Sequence, residues 1–214
     1  MKTRLKLFIG TSLTLFFLIS AAWGEEKNQR ADLDAMVKKI IKLQERFNQN
    51  PSDYEVLKEI GVIYHDLAQK DAKTYAKKAV NSLEEAQKVK PEDNVTLCYL
   101  GSAYTLMAKE FWNPVSKSNY VNKGIECMDK AVRKDPDNIT VRMTRGINST
   151  RLPGILNRRQ VAYEDFEHLA DLFEKGLNAP SSLKSTVYKS LSGLYKEDGD
   201  KVKTQKYQTM ADNL

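Results

Sequence analysis

The chain is poor in the residues from which reactive centres are built. Its 214 residues include two cysteines, Cys98 and Cys127, and two histidines, His65 and His168. No His-Glu-x-x-His or Cys-x-x-Cys spacing accompanies them, so no metal site is expected, and both histidines read as exposed helix residues. Gly-x-Ser-x-Gly, a glycine-rich phosphate loop and a cysteine beside a histidine are all missing, so no catalytic residue and no cofactor is expected, and an enzyme is the weakest functional class. Glu55 and Glu59, four apart, are ordinary helix-face charge. With only two cysteines, either one disulfide forms in an oxidising compartment or both stay as packed thiols. No segment alternates with period two, and the prolines fall between elements, so strands are not required.

Long apolar runs are missing too, with one exception. Lys2, Arg4 and Lys6 precede an apolar stretch from Leu7 to Ile19, and Ala22 and Gly24 follow at small-residue positions. This pattern predicts a secretory signal peptide over residues 1–24, cleaved before Glu25, and hence a periplasmic or secreted protein of bacterial type. The alternative is an uncleaved anchor, the one route by which a membrane would be a partner, but the run falls short of the roughly 20 residues that span a bilayer. No cysteine near the cleavage point suggests lipid modification. The leader carries three bases and no acid, so the formal charge falls from +6 to +3 without it. A nucleic-acid binder would need a basic stripe, and none is visible. Three glycosylation sequons, at Asn94, Asn138 and Asn148, are discounted, because the first two fall at helix caps and the leader reads as bacterial.

What the chain does have is repetition. Gly61, Gly101 and Gly146 each stand ten residues after a proline, Pro51, Pro91 and Pro136, and Leu57, Ile60, Gly61, Tyr64 recur as Leu97, Leu100, Gly101, Tyr104. Periods of 40 and 45 residues mean stacked helical hairpins, whose usual work is display of a surface. Before them, Leu33, Met36, Val37, Ile40, Ile41, Leu43 and Phe47 mark an amphipathic helix. Asp53, Asp93, Asn138 and Ser182 are the expected N-caps of the first helices. A glycine inside a helix costs about 1 kcal/mol against alanine, so its recurrence calls for close approach of the paired helix, which any Cβ at Gly61 or Gly101 would push away.

The Leu-x2-Leu-Gly-x2-Tyr first helices and Ala-x3-Leu-x2-Ala-x4-Pro second helices resemble tetratricopeptide (TPR) repeats. Leu57, Ile60, Gly61, Tyr64, Ala79, Leu83, Ala86 and Pro91 fill the signature in the first repeat. In the second, Leu97, Leu100, Gly101, Tyr104, Gly124, Met128, Ala131 and Pro136 do so. The units exceed the family's usual length, and in repeat two the excess is expected as a loop from Phe111 to Asn119. The resemblance implies an all-α, right-handed helical-hairpin solenoid of about three to four repeats and about nine helices. The expected organisation is an N-terminal amphipathic helix at 25–50 and a solenoid at 51–214, with repeats near 51–90, 91–135, 136–179 and 180–214.

Repeat three departs from the pattern. Arg142 and Arg145 stand where large apolar residues are wanted, with Arg151, Arg158 and Arg159 close behind, and then Glu164, Asp165, Glu167, Asp171 and Glu174 reverse the charge. Either the arginines pair internally, with Asp165 as the first-choice partner, or they form an anion site, or they are solvated charge.

In TPR proteins the first helices line a concave groove for peptides. Carried over by position, that points to Glu55, Lys58, Glu59, Val62, His65 and Asp66, then Val95, Cys98, Tyr99, Ser102 and Thr105, then Met143, Thr144 and Ile147. Val62, Tyr99 and Thr144 stand where a carboxylate clamp needs amides or cations, so capture of a chaperone tail is not expected. Phe111 and Trp112 either anchor a partner or lock their loop. The leading expectation is a non-enzymatic exported scaffold binding a protein or peptide in the bacterial cell envelope. The alternative is a periplasmic accessory holding a small anionic ligand through the repeat-three arginines.

Overall fold

The structure, a computed structural model, describes residues 34–214. The signal peptide expected at 1–24 lies outside these residues. The chain divides into one unit ending at Pro51 and a second from Ser52 to Leu214. In the first, the described part is a helix, α1, over 34–49, whose most buried apolar residues are Ile40 and Leu43.

The second unit is a helical-hairpin solenoid, and among the described residues there is no strand. Its helices are α2 (Tyr54–Lys70), α3 (Ala72–Val89), α4 (Asn94–Met107), α5 (Pro114–Lys134), α6 (Ile139–Arg151), α7 (Arg159–Glu174), α8 (Ser181–Glu197) and α9 (Lys201–Asp212). Successive helices pair as hairpins α2/α3, α4/α5, α6/α7 and α8/α9, while α4 also packs beside α2 and α6. The starts follow from the local chemistry. Asp53, Asp93 and Asn138 accept the amides of Val56, Val95 and Val141, relieving orphan N–H groups of the first turn. Asp71, Asn113 and Asp200 do the same for α3, α5 and α9.

Two expectations are corrected. Ser182 does not cap α8: Pro180 precedes the helix with its φ of −55° already set, Ser181 is the first residue, and no side chain caps the end. The extra length of repeat two is helix more than loop. Asn113 caps and Pro114 opens a 21-residue α5, so only 111–113 is left as connection after a 3-10 turn at Ala108–Glu110. At the far end, α7 and α8 stop at Gly176 (φ 98°) and Gly199 (φ 77°), left-handed positions that a Cβ would strain.

The repeated glycines are contact points. A Cβ on Gly61 would stand 2.6 Å from Leu83 Cγ, and one on Gly101 would stand 2.6 Å from the carbonyl oxygen of Gly124. Gly124 reciprocates, its Cβ position lying 2.5 Å from the Gly101 oxygen, so α4 and α5 cross backbone against backbone. In repeat three, a Cβ on Gly146 would stand 3.0 Å from the Phe166 ring. The core follows the hairpins: Leu97, Cys98, Met128, Ala131, Val132 and Val141 form one cluster, and Phe166, Leu169, Val187, Leu191 and Tyr207 are centres of another. The thiols of Cys98 and Cys127 are free, and Cys98 donates to the Val141 carbonyl at 3.3 Å.

Candidate functional site

Helices α2, α4 and α6 stand side by side, and their facing residues enclose a cavity of about 370 Å³, with α8 closing one edge. Of the residues expected to face a partner, His65, Asp66, Tyr99, Ser102, Met143, Thr144 and Ile147 line it. Gln69, Thr140, Asn148, Arg151 and Leu183 join them. Glu55, Lys58, Glu59, Val62, Val95, Cys98 and Thr105 do not. The Lys58 ammonium turns to Asp93 at 2.7 Å, and burial holds it below the usual lysine range. Trp112 is elsewhere, wholly exposed on the connection to α5, while Phe111 stacks on Tyr120 with centroids 4.6 Å apart and fixes that connection.

The polar side of the cavity is a connected network. His65 is buried, which corrects its expected exposure: one turn of α2 points it at α4, where Ser102 offers a hydroxyl 2.9 Å from Nε2. Its Nδ1 lies 3.1 Å from Asp66 Oδ1, and Gln69 Nε2 also approaches the ring Nε2 at 3.1 Å. The pattern closes with the proton on Nδ1, so that Nε2 accepts. Ser102 and Thr105 then take the two N–H bonds of Asn148 at 3.2 and 2.6 Å. Thr105 spends its own proton on the Ser102 carbonyl at 2.7 Å. This fixes the Asn148 amide and leaves its buried Oδ1 without a partner. Tyr99 meets His65 edge-on at 5.2 Å and hydrogen-bonds Thr144, and burial, with Asp66 nearby, raises its phenol above the usual range. Met143, Ile147 and Leu183 form the apolar wall.

On the opposite side of α6 the arginines are occupied. Arg145 donates through Nε and Nη2 to the two oxygens of Asp165 at 2.8 Å each, and through Nη1 to Asp129 at 3.0 Å. Arg142 adds a bond of 3.0 Å to Asp165, and Arg158 forks onto Asp129 at 2.9 and 2.6 Å. Three guanidiniums thus share two carboxylates, one of which, Asp165, is entirely buried. Burial pushes the Asp165 carboxyl up against the pull of Arg145 and Arg142. Burial also opposes ionisation at Asp129, but Arg158 and then Arg145 overcome it and hold that group below the usual range. Arg159 binds Glu197, Asp198 and the Leu194 carbonyl. Arg151 alone of the five turns to the cavity, where it donates to Gln69.

Sequence reasoning missed Gln69, Thr140, Asn148 and Leu183 as cavity residues. Gln69 carried a signal, one helical turn after His65 on the same face. Asn148 stands out in the sequence only as part of a sequon. Among the described residues no group of three or more acidic, cysteine or histidine side chains could hold a metal ion, and no helix is long and apolar enough to cross a membrane.

The model of the plant-specific mitochondrial import receptor subunit TOM20 family matches residues 35–191, well over half of the chain. Among solved structures, a thermophilic TPR protein from Thermus thermophilus superimposes with a TM-score of 0.64 at 16% identity, over 86% of this chain and 84% of that one. At that identity the likeness shows the fold, a TPR-type solenoid. No curated protein matches the chain. Fold and family together point to a non-catalytic, protein-binding scaffold. They correct the expected periplasmic or secreted location: the matched family is one of mitochondrial import receptors, and the export reading rested wholly on residues outside those described.

Proposed function

The chain belongs to the plant-specific mitochondrial import receptor subunit TOM20 family, and from that premise we propose that its α2–α4–α6 groove receives a peptide segment of a protein bound for the mitochondrion. One observation supports the reading above the others: the residues at the groove positions of three successive first helices converge on one cavity with a polar and an apolar wall. Such a cavity suits an amphipathic segment, whose apolar side chains enter while its polar face stays at the rim. The repeat-three arginines act elsewhere, tying α5, α6 and α7 together, so that α6 presents Met143, Thr144 and Ile147 from a braced helix.

The test uses a synthetic mitochondrial targeting peptide and the full chain. Ile147→Glu puts a charge on the apolar wall and is expected to weaken binding at least tenfold, whereas Trp112→Ala, outside the cavity, leaves it within about twofold, the change of a residue making no contact. Tight binding that Ile147→Glu leaves unchanged would place the peptide elsewhere.

A further inference from the structure

The most exposed large apolar side chains of the α2–α9 unit stand along one edge of it, and hydrogen bonds fix which helix ends share that edge. Asn148, one turn from the end of α6, bonds Thr105 close to the end of α4, and Arg151 at the end of α6 bonds Gln69 at the end of α2. Arg159 at the start of α7 bonds Glu197 and Asp198 where α8 ends. The turns inside the hairpins therefore lie on the same side. On or beside them Trp112 is 101% exposed, Ile155 89%, Val202 81% and Val115 66%. At the helix ends of the opposite side, the comparable residues among those described are Val89 at 48% and the terminal Leu214 at 49%. Isolated apolar residues on a surface are ordinary, but scatter would not gather the four most exposed on one edge.

The same edge carries lysines without partners. Among the described residues, Lys70, Lys109, Lys117, Lys196 and Lys201 are exposed and make no ion pair. The carboxylates of these turns are engaged apart from Glu110: Asp71 and Asp200 cap α3 and α9, and Glu197 and Asp198 hold Arg159. We propose that this edge docks on the surface of a bilayer containing anionic lipid, with Trp112, Val115, Ile155 and Val202 entering the interface and the lysines meeting acidic headgroups. A protein partner fits less well. Neighbouring helices sit about 8–10 Å apart, so apolar tips on separate hairpins are separate points, where a protein interface needs a continuous packed core. A lipid surface takes side chains one at a time, holds tryptophan at headgroup level and lets lysine stems lie along it. The docking does not depend on the peptide groove, which opens between α2, α4 and α6 and not at their ends.

The test keeps the full chain and uses Trp23→Phe as background, which leaves Trp112 as its one tryptophan. Trp112 emission is followed as vesicles of phosphatidylcholine, alone or mixed with anionic phosphatidylglycerol, are added. The mixed vesicles are expected to shift it to the blue, and high salt to weaken the effect. Lys109→Gln and Lys117→Gln should each reduce affinity for the mixed vesicles about fivefold. Ile155→Ser, on another hairpin, should reduce it about tenfold. All three residues are exposed, and circular dichroism verifies that the variants fold. No shift with the mixed vesicles overturns the proposal, as does a shift equally strong with neutral ones or one that these three substitutions leave unchanged. A shift given by native mitochondrial membranes, lost when protease shaves their proteins and absent with pure lipid, assigns the edge to a protein partner and overturns it too. Peptide binding is measured separately, so the groove reading stands or falls on its own.

Discussion

Gly101→Ala and Gly193→Ala make the same chemical change in two helices and are expected to move stability in opposite directions. At Gly101 the new Cβ would stand 2.6 Å from the Gly124 oxygen and 2.9 Å from Cys127 Cβ and Met128 Cγ, where ordinary contact is 3.4–4 Å. Two of those atoms, the oxygen and the Cβ, are placed by the α5 backbone, so no side-chain rotation relieves them and α5 has to move outward by several tenths of an ångström. Overpacking of this kind costs about 1–3 kcal/mol, and a backbone clash belongs at the upper end. Alanine returns about 1 kcal/mol of helix propensity, leaving a net loss of about 2 kcal/mol. At Gly193, inside α8, nothing lies within 4 Å of the added Cβ, so only the propensity term acts, a gain of about 0.5–1 kcal/mol. For a chain of this size each kcal/mol shifts the melting midpoint by about 2–4 °C. Thermal unfolding followed by circular dichroism should therefore show a drop of about 4–8 °C for Gly101→Ala and a rise of about 1–4 °C for Gly193→Ala. A midpoint raised by Gly101→Ala would refute the claim that backbone approach is why the repeat keeps its glycine.

Arg145→Met removes the bridge between Asp165 and Asp129 but leaves Arg142 on one and Arg158 on the other. The expected loss in urea unfolding is about 2–3 kcal/mol, under the roughly 3–5 kcal/mol of a buried pair fully broken, and an unchanged midpoint would deny the network a structural role. Alkali should destabilise the fold through its phenols. Tyr163 is pushed up to about 12 by burial and then by Asp198, and Tyr104 and Tyr195 are raised by burial and their carboxylate partners. A phenol whose folded value exceeds its unfolded value of 10 contributes in full below pH 10 and loses that contribution as pH climbs toward 12. The share of phenolate absorbance that is lost in Tyr104→Phe, Tyr163→Phe and Tyr195→Phe should accordingly appear together with unfolding and not before it. Of the two thiols, half-exposed Cys127 should react with a disulfide reagent in the native protein, while Cys98, buried and with its thiolate disfavoured by burial, should wait for denaturation. Equal rates would contradict the packing around Cys98.

How much of this was legible in the chain depends on the range of the interaction. Proline, the cap residues Asp53, Asp93 and Asn138, and the glycine spacing act within a turn or between neighbouring helices, so pattern alone settles an all-α hairpin solenoid. Even there Ser182 misled, because Pro180 started α8 two residues early. The fate of each polar side chain is a different kind of question. Arg142, Arg145, Arg151 and Arg158 are alike as text, and only packing turns three of them to Asp165 and Asp129 and the fourth to the cavity. His65 looked like surface until α4 brought Ser102 against it, and Asn148 acquired a role only when α6 laid it on Ser102 and Thr105. Periodicity tells which face of a helix is inward, but which inward residues meet one another is decided by how far each hairpin is offset from the next. Within the α4/α5 hairpin the approach is set by Gly101 and Gly124, which cross backbone on backbone.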